Sequence, residues 1–362
     1  MATSPAITQV YWKTLDELLH PDGPRRQELV GFDDEFVDIV DYIIRITHRI
    51  WEQKDIGLCY DYYAKYCPVH TLGGYCDDVD VVVQNTLKTI AAFPDRSLIG
   101  ENVVWSKEQD GSYYSSHRIT SVMTNKGASE FGPATGTTGR VTTIADCVCK
   151  ENRIVYEWLM RDNSFLVKQL GISPLDAARH QSQGVVPNEF SEWINQEYQR
   201  VSDKQVFADD IATGVDADVF QFMSDWLDTL LNRKNLNQLA QFYHLNAKVQ
   251  WPGGRRAVGM PGISGIFTQW LAQCPDAHAV LDHIAVVPFD DDTIDVAIRW
   301  SLAGKLNPRD TELMEFAGLP QFILAGSHMR IKNNKIIQEW TVFDEVASIA
   351  NLIRQLPNGS GR

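Results

Sequence analysis

The chain is short of positive charge. It carries 33 Lys and Arg against 47 Asp and Glu, a formal net charge of −14. No run of basic residues breaks this balance, so neither a nucleic acid nor an anionic membrane surface is an expected partner, since each needs a basic face. Long hydrophobic runs are missing as well: no window approaches the roughly 18 apolar residues that a spanning helix needs. The opening stretch MATSPAITQVYWKTLDELLH has neither a basic start nor an apolar core of signal-peptide length, which makes a cytoplasmic location the expectation.

Cysteine is sparse and unevenly placed. Cys59, Cys67, Cys76, Cys147 and Cys149 lie in the first half, and Cys274 stands alone in the second. That distribution argues against a disulfide frame repeated in both halves, and no C-x-x-C pair occurs; buried thiols in a reduced compartment are the simpler reading. The patterns H-x-x-x-H and H-E-x-x-H are absent, as is any carboxylate–His cluster of ligand spacing, so no metal is expected. There is no G-x-S-x-G nucleophile elbow. The Gly-rich run GMPGISG lacks both the Lys-Ser/Thr ending of a phosphate loop and the Rossmann spacing. It reads as a helix start, with Pro261 in the first turn where a missing N–H costs little. No cofactor is expected.

What is present is a phrase written twice. RIVYEWLMRD (153–162) and KIIQEWTVFD (335–344) share a cation, two β-branched residues, Glu-Trp, and an Asp four places after the Trp. Three further anchors stay in order at offsets of 180 to 182: VHTLGG (69–74) on VQWPGG (249–254), FPD (93–95) on CPD (274–276), and Arg118 on Arg299. Each match alone is weak. Their colinearity points to a duplicated domain, which suits a 362-residue chain that is 44% apolar and long enough for two cores.

Both copies read alike. Each opens with an amphipathic helix, its apolar face Phe36, Ile39, Val40, Ile43, Ile46 and Ile50 in the first copy and Val219, Phe222, Met223, Trp226, Leu227 and Leu230 in the second. A short second helix leads into a strand that ends in Gly-Gly, then come a third helix and three strand-like runs, the last long enough to be a hairpin turning at KENR or KNNK. The expected fold class is α+β: two tandem cone-shaped domains, each a curved antiparallel sheet packed with three helices and enclosing one concave apolar cavity. The expected boundaries are an N-terminal arm (1–34), domain one (35–178), a polar linker (179–213) with one helix around EFSEWINQEYQRV, and domain two (214–357).

The words resemble those of SnoaL-like polyketide cyclases, or ester cyclases, within the nuclear transport factor 2-like superfamily. AAFPD resembles the end of that family's third helix. SHRITSVMTNKGASEFGPATGTTGRV resembles its strand, Gly-rich loop and next strand, and NRIVYEWLMRDNSFLVKQLG its closing strand and tail. The first copy carries the resemblance best; the second keeps KIIQEWTVFDEVASIANLI but replaces the Gly-rich loop. The resemblance covers roughly 36–175 and 215–356 and implies the cone fold, with chemistry, where present, from an Asp and helper His, Tyr or Asn on the concave face. The family's closing strand often reads His-Trp-Asp; here it reads Glu157-Trp158-Leu159 and Glu339-Trp340-Thr341.

Alternation puts Trp158, Met160 and Asp162 on one strand face, and Glu157, Leu159 and Arg161 on the other. With Trp158 and Trp340 toward the cavity, Asp162 and Asp344 sit at its mouth, either as proton shuttles or as caps of the helices that follow. His117 and Arg118 point to opposite faces. Arg118 recurs as Arg299, which suits a structural ion pair or a ligand contact; His117 occurs in the first copy alone, as a residue with specialised function would. His70 at the rim, and His328 where the first copy has Asp146, are further polar candidates. Tyr63, in the cluster Tyr60, Tyr62, Tyr63 and Tyr66, is a candidate oxyanion partner, and Trp251 a candidate aromatic wall.

Two functions follow as expectations. In one, a cofactor-independent acid–base enzyme acts on a small, mostly apolar carbonyl or ester compound, with His117 and Asp162 as base and acid and His70 or a Tyr steadying the enolate. In the other, the chain is a non-catalytic binding or assembly module. The duplication supplies within one chain the pseudo-dimer that such folds form from two, and a further homodimer is the partner expected beyond the small apolar ligand.

Overall fold

The phrase that recurs in the sequence folds into the same hairpin twice. In the first copy Glu151 and Asn152 both take positive φ (47° and 68°), and in the second Asn333 and Asn334 do (49° and 54°). Two consecutive left-handed residues make the two-residue turn whose twist matches that of the flanking strands. A second local detail is also duplicated. The opening helices, Ile39–Thr47 and Ala217–Leu227, each end in one π-helical turn, His48–Glu52 and Asp228–Asn232. A lysine of positive φ follows in both, Lys54 and Lys234.

The computed structural model describes residues 6–205 and 213–357. The first five residues of the expected arm and residues 206–212 of the expected linker lie outside the described residues. The first copy contributes β1 (Tyr66–Thr71), β2 (Gly74–Asp78), β3 (Ser97–Lys107), β4 (Tyr113–Thr124), β5 (Thr138–Lys150) and β6 (Arg153–Arg161). The second contributes β7 (Tyr243–Trp251), β8 (Arg255–Val258), β9 (His278–Asp290), β10 (Thr293–Lys305), β11 (Pro320–Lys332) and β12 (Lys335–Val342). The strand orders are β2-β1-β6-β5-β4-β3 and β8-β7-β12-β11-β10-β9, one order used twice. The architecture is therefore α+β, with two six-stranded sheets and three helices before the long strands of each.

Two features depart from the sequence expectation. The sheets are not wholly antiparallel, because β1 runs parallel to β6 and β7 parallel to β12. Each also gains a short edge strand, β2 or β8, made by the chain doubling back after Gly-Gly. Gly253 and Gly254 both adopt positive φ there, which any side chain would resist.

Helix caps fix where the helices begin. Asp38 accepts from the Asp41 amide and Asp216 from the Asp218 amide at the two opening helices, and Asp78 caps Val79–Ala92. The apolar face read from the first opening helix is wholly buried. In the second, Met223, Trp226, Leu227 and Leu230 are buried, and Val219 and Phe222 half-buried. The linker helix spans Asn188–Ser202. Among the described residues no helix is long and apolar enough to cross a membrane.

Contacts divide the chain into two compact units. Met1–His70, Cys76–Ser129 and Pro133–Leu159 form the first; Thr71–Tyr75, Glu130–Gly132 and Met160–Arg362 form the second. The first unit thus ends near Leu159, whereas the sequence placed the domain boundary at 178. The intervening tail, helices Asn163–Gln169 and Pro174–Ser182, buries Leu175 with Leu352 and Phe316 of the second unit.

Candidate functional site

In the closing strand of each copy, the glutamate faces inward. Glu157 is buried and accepts a hydrogen bond from Tyr63 (3.1 Å). Tyr63 belongs to the cluster that packs Ile39, Ile43 and Ile46 of the opening helix against Val103, Tyr113 and Cys147. Strand alternation then sends Trp158 to the outer face, where it lies beside Tyr156 (ring centroids 4.2 Å apart), itself stacked on His70 (5.2 Å). This corrects the sequence reading. Trp158 and His70 do not line the interior: the His70 Nε2 is bonded to the Tyr156 hydroxyl (2.5 Å) on the opposite side of the sheet. The same parity holds in the second copy, where Trp340 pairs in register with His328 and with Gln250 on the outer face. Arg118 is also outside, in an ion pair with Glu101. Its counterpart Arg299 lends its charge to Asp282, which accepts from Ser301 and Arg200.

The interior of the first copy is polar at its centre. Cys59, Cys67, Cys76, Cys147 and Cys149 are all free and buried. Burial raises each thiol, and the Glu157 charge raises it further, to about 12 at Cys59 and Cys76. Thiols so far from ionising are inert as nucleophiles. Cys147 pairs in register with Ser115, and Ala145 with His117, so Ser115 and His117 stand in adjoining rows of the same inward face. His117 is 3% exposed. Its Nε2 has no hydrogen-bond partner, nor has the buried hydroxyl of Thr143, opposite Ile119 on that face. The Ser115 hydroxyl reaches no oxygen or nitrogen and has only the Cys149 thiol beside it. Burial, then the charge of Arg118, holds His117 down at about 3, so its imidazole is neutral at physiological pH. Gly100 leaves room for it: a methyl there would come within 2.9 Å of the Ile44 Cδ1 and 3.0 Å of the His117 Nε2.

The interior of the second copy is the opposite case. Glu339 accepts from the Tyr243 hydroxyl (2.5 Å), the Trp251 indole (2.7 Å) and the Thr341 hydroxyl (2.7 Å). The network continues outward, with the Trp226 indole donating to Tyr243 and the Trp300 indole to Ser327, which bonds Thr341. Trp251, a sequence candidate, therefore does face inward, where its indole donates to the Glu339 carboxylate. Burial raises Glu339.

Asp162 and Asp344 cap helices. Asp162 Oδ1 accepts from the amides of Phe165 (3.0 Å) and Gly253 (2.7 Å) and from Ser164 (3.0 Å). Asp344 accepts from the Ala347 amide (3.0 Å) and the Asn163 side chain (2.5 Å). Burial is the main cause that lifts both, Asp162 to about 6 and Asp344 to about 7. Asp162 belongs to the second compact unit and His117 to the first. Glu157 was not among the sequence candidates, because the Trp beside it was given the interior. A signal was available: Tyr63 and Tyr243 precede Glu157 and Glu339 at the same offsets as the other repeat anchors.

The second unit also holds a cavity of about 310 Å³ on the same inward face of its sheet, lined by Leu302, Ile323, Trp270 and Phe343 among others. Among the described residues no group of His, Cys, Asp and Glu is placed to hold a metal.

Residues 221–352 match the SnoaL-like polyketide cyclase family. The matched segment is the second repeat, whereas the sequence words had favoured the first. No curated protein matches the chain. Solved structures similar to parts of it include IdmH of Streptomyces antibioticus, described as a proposed polyketide cyclase: 20% identity over 36% of this chain and 96% of that one, TM-score 0.31. Another proposed polyketide cyclase, from Acidithiobacillus ferrooxidans, shows 13% identity over 40% and 99%, TM-score 0.33. A nuclear transport factor 2-like protein of Salmonella enterica shows 12% identity over 40% and 95%, TM-score 0.30. The repeat that the family model matches is the one whose interior carboxylate accepts three hydrogen bonds.

Proposed function

We propose that the first repeat is a cofactor-independent acid–base site for a small, mostly apolar carbonyl or ester compound, of the cyclase, isomerase or dehydratase type. One observation carries this reading: the buried, neutral His117 offers Nε2 to nothing in the protein, beside two hydroxyls whose bonding is also unmet. Unmet buried polar atoms are costly unless a guest completes them.

The roles follow from the chemistry. An imidazole held at about 3 is a poor base but, protonated at Nε2, a good hydrogen-bond donor to a carbonyl oxygen. Glu157 takes the proton next to the carbonyl. The electron pair of the broken C–H bond moves onto the oxygen, and His117 with Ser115 or Thr143 steadies the resulting enolate. Reprotonation elsewhere gives isomerisation, attack on a second carbonyl gives cyclisation, and loss of a β-substituent gives elimination. Tyr63 orients Glu157. The second repeat, whose glutamate already has three donors, serves as scaffold. His117→Ala is expected to lower α-proton exchange of an enolisable ketone by about 10²-fold or more, in the range that one positioned acid–base group supplies. Unchanged exchange in a folded His117→Ala protein would remove His117 from the mechanism.

A further inference from the structure

The groups left unmet in the first repeat are closed off from solvent. The His117 Nε2 and the hydroxyls of Ser115 and Thr143 are all buried, so a guest reaches them only if a wall of the interior moves. Two walls are firmly held. Strand pairing joins β4 to β5 without a break from Tyr113 to Thr124, and the opening helix is pinned by the buried ion pair of Arg45 with Asp41 (2.7 Å). A third wall comes from the N-terminal arm.

Residues 28–33 of that arm, ELVGFD, cross one end of the interior. Leu29 and Phe32 are buried, whereas Val30 between them is 71% exposed. Phe32 lies edge-on to Tyr42 (4.9 Å) and to Tyr113 (6.2 Å). Tyr113 pairs in register with Cys149 and stands one inward row before Ser115 and two before His117. The turn meets the strand tips through polar contacts at its rim. Glu28 pairs with Lys107 (3.2 Å), both side chains about half exposed or more. The Asn152 side chain donates to Asp33 (2.9 Å) at the surface, and the Tyr113 hydroxyl donates to the Glu28 carbonyl. Exposed pairs of this kind hold weakly. The turn itself is braced from within: the Arg25 guanidinium gathers the carbonyls of Leu29 (3.1 Å), Phe32 (3.3 Å) and Asp33 (2.6 Å), with that of Phe36 at the helix entry (3.1 Å). It can therefore part from the strands without losing its shape. Upstream, Gly23 at φ 88° has open space where a side chain would sit, a place for the chain to swivel.

We propose that residues 28–33 are the gate of the first-repeat site, with Phe32 as the stopper that lifts to admit the guest and closes behind it. The inference rests on the first-repeat reading for what passes the gate. Closure behind the guest keeps water from the enolate, the task that moving loops perform over such sites.

Cys149, opposite Tyr113, reports the opening, and Cys274 of the second repeat, also free and buried, is the reference. In the full chain carrying Glu28→Cys and Lys107→Cys, the two surface thiols are either bridged by bismaleimidoethane or capped singly by N-ethylmaleimide. Iodoacetamide labelling, located by mass spectrometry, should be about tenfold or more slower at Cys149 in the bridged protein than in the capped one, with Cys274 labelled equally in both. Asp33→Ala, which removes the side-chain bond to Asn152, should speed Cys149 labelling by about threefold and leave Cys274 alone. Bridging should also lower α-proton exchange of 2-tetralone by about tenfold or more. The gate is overturned if the bridge leaves Cys149 labelling unchanged, if it slows Cys274 as much, as a bridge that merely stiffens the fold does, or if the bridged protein exchanges as the capped one does. A parent protein that exchanges no 2-tetralone removes the first-repeat reading instead, and the labelling contrast still decides the gate.

Discussion

Glu157 and Glu339 hold the same place in a repeated phrase and have different fates. Around Glu339, two indole or phenol donors and a threonine hydroxyl hold the carboxylate; around Glu157, Tyr63 donates within a ring of buried thiols, and neighbouring His117, Ser115 and Thr143 keep unmet bonds. His117 makes that difference measurable without a substrate. Its folded value of about 3 lies below the ordinary value of 6.5. As pH falls below 6.5 the unfolded chain takes up the proton first, so the fold loses stability on acidification. Between pH 6.5 and 5 this amounts to about 2 kcal/mol. His117→Gln should therefore gain on the parent protein as pH drops from 7.5 to 5, read as the difference in urea midpoints; a difference that does not move with pH would contradict a buried neutral imidazole. Asp162 works with the opposite sign. Its folded value, about 6, is above the ordinary 3.8, so the fold keeps a proton that the unfolded chain has lost. That stability is full below about pH 4 and disappears as pH rises through about 6. Asp162→Asn, which keeps a good cap, should gain on the parent as pH rises from 4 to 7.5.

These residues also show where sequence reading stops. Alternation sorted the closing strand into two faces, and that sorting stands. Which face lay inside was decided by giving the interior to tryptophan, the larger apolar group. The physical reason this fails is that the outer faces are buried too: His70, Ser116, Arg118, Arg299 and His328 are all nearly inaccessible there. Burial on both sides removes the polarity difference by which a strand ordinarily declares its orientation.

At the scale of elements, the repeat is most faithful in its turns. Glu151 and Asn333 occupy the first left-handed position of the two hairpins, but only asparagine tolerates it well. Glu151→Asn, which writes the second copy's residue into the first, should stabilise the protein by about 0.5–1 kcal/mol. A raised urea midpoint with unchanged slope would show it, and a lowered midpoint would mean that the glutamate side chain contributes more than its backbone strain costs. Amphipathic helices, Asp caps and Gly-Gly turns were legible because each is a local signal. The edge strands β2 and β8 and the parallel pairings were not, because they depend on which distant strand the chain meets after the turn. The tail helices were read with the first copy for the same reason: their sequence follows it, while their apolar partners Leu352 and Phe316 lie about 140 to 180 residues away along the chain.

At the scale of the whole molecule, the duplicated fold carries two unlike interiors. Both copies keep the strand order, the hairpin, the capping Asp and the inward Tyr–Glu pair. One copy has surrounded its interior carboxylate with tryptophan and tyrosine donors, and the other has kept a neutral histidine and hydroxyls with unmet bonds. The most direct measurement is α-proton exchange of 2-tetralone in D2O, followed by proton NMR, in Glu157→Gln compared with Glu339→Gln, each confirmed folded by its melting temperature. The account predicts that Glu157→Gln loses exchange by about 10²-fold or more while Glu339→Gln exchanges as the parent protein does. Loss in Glu339→Gln with exchange intact in Glu157→Gln, or no change in either, would contradict it.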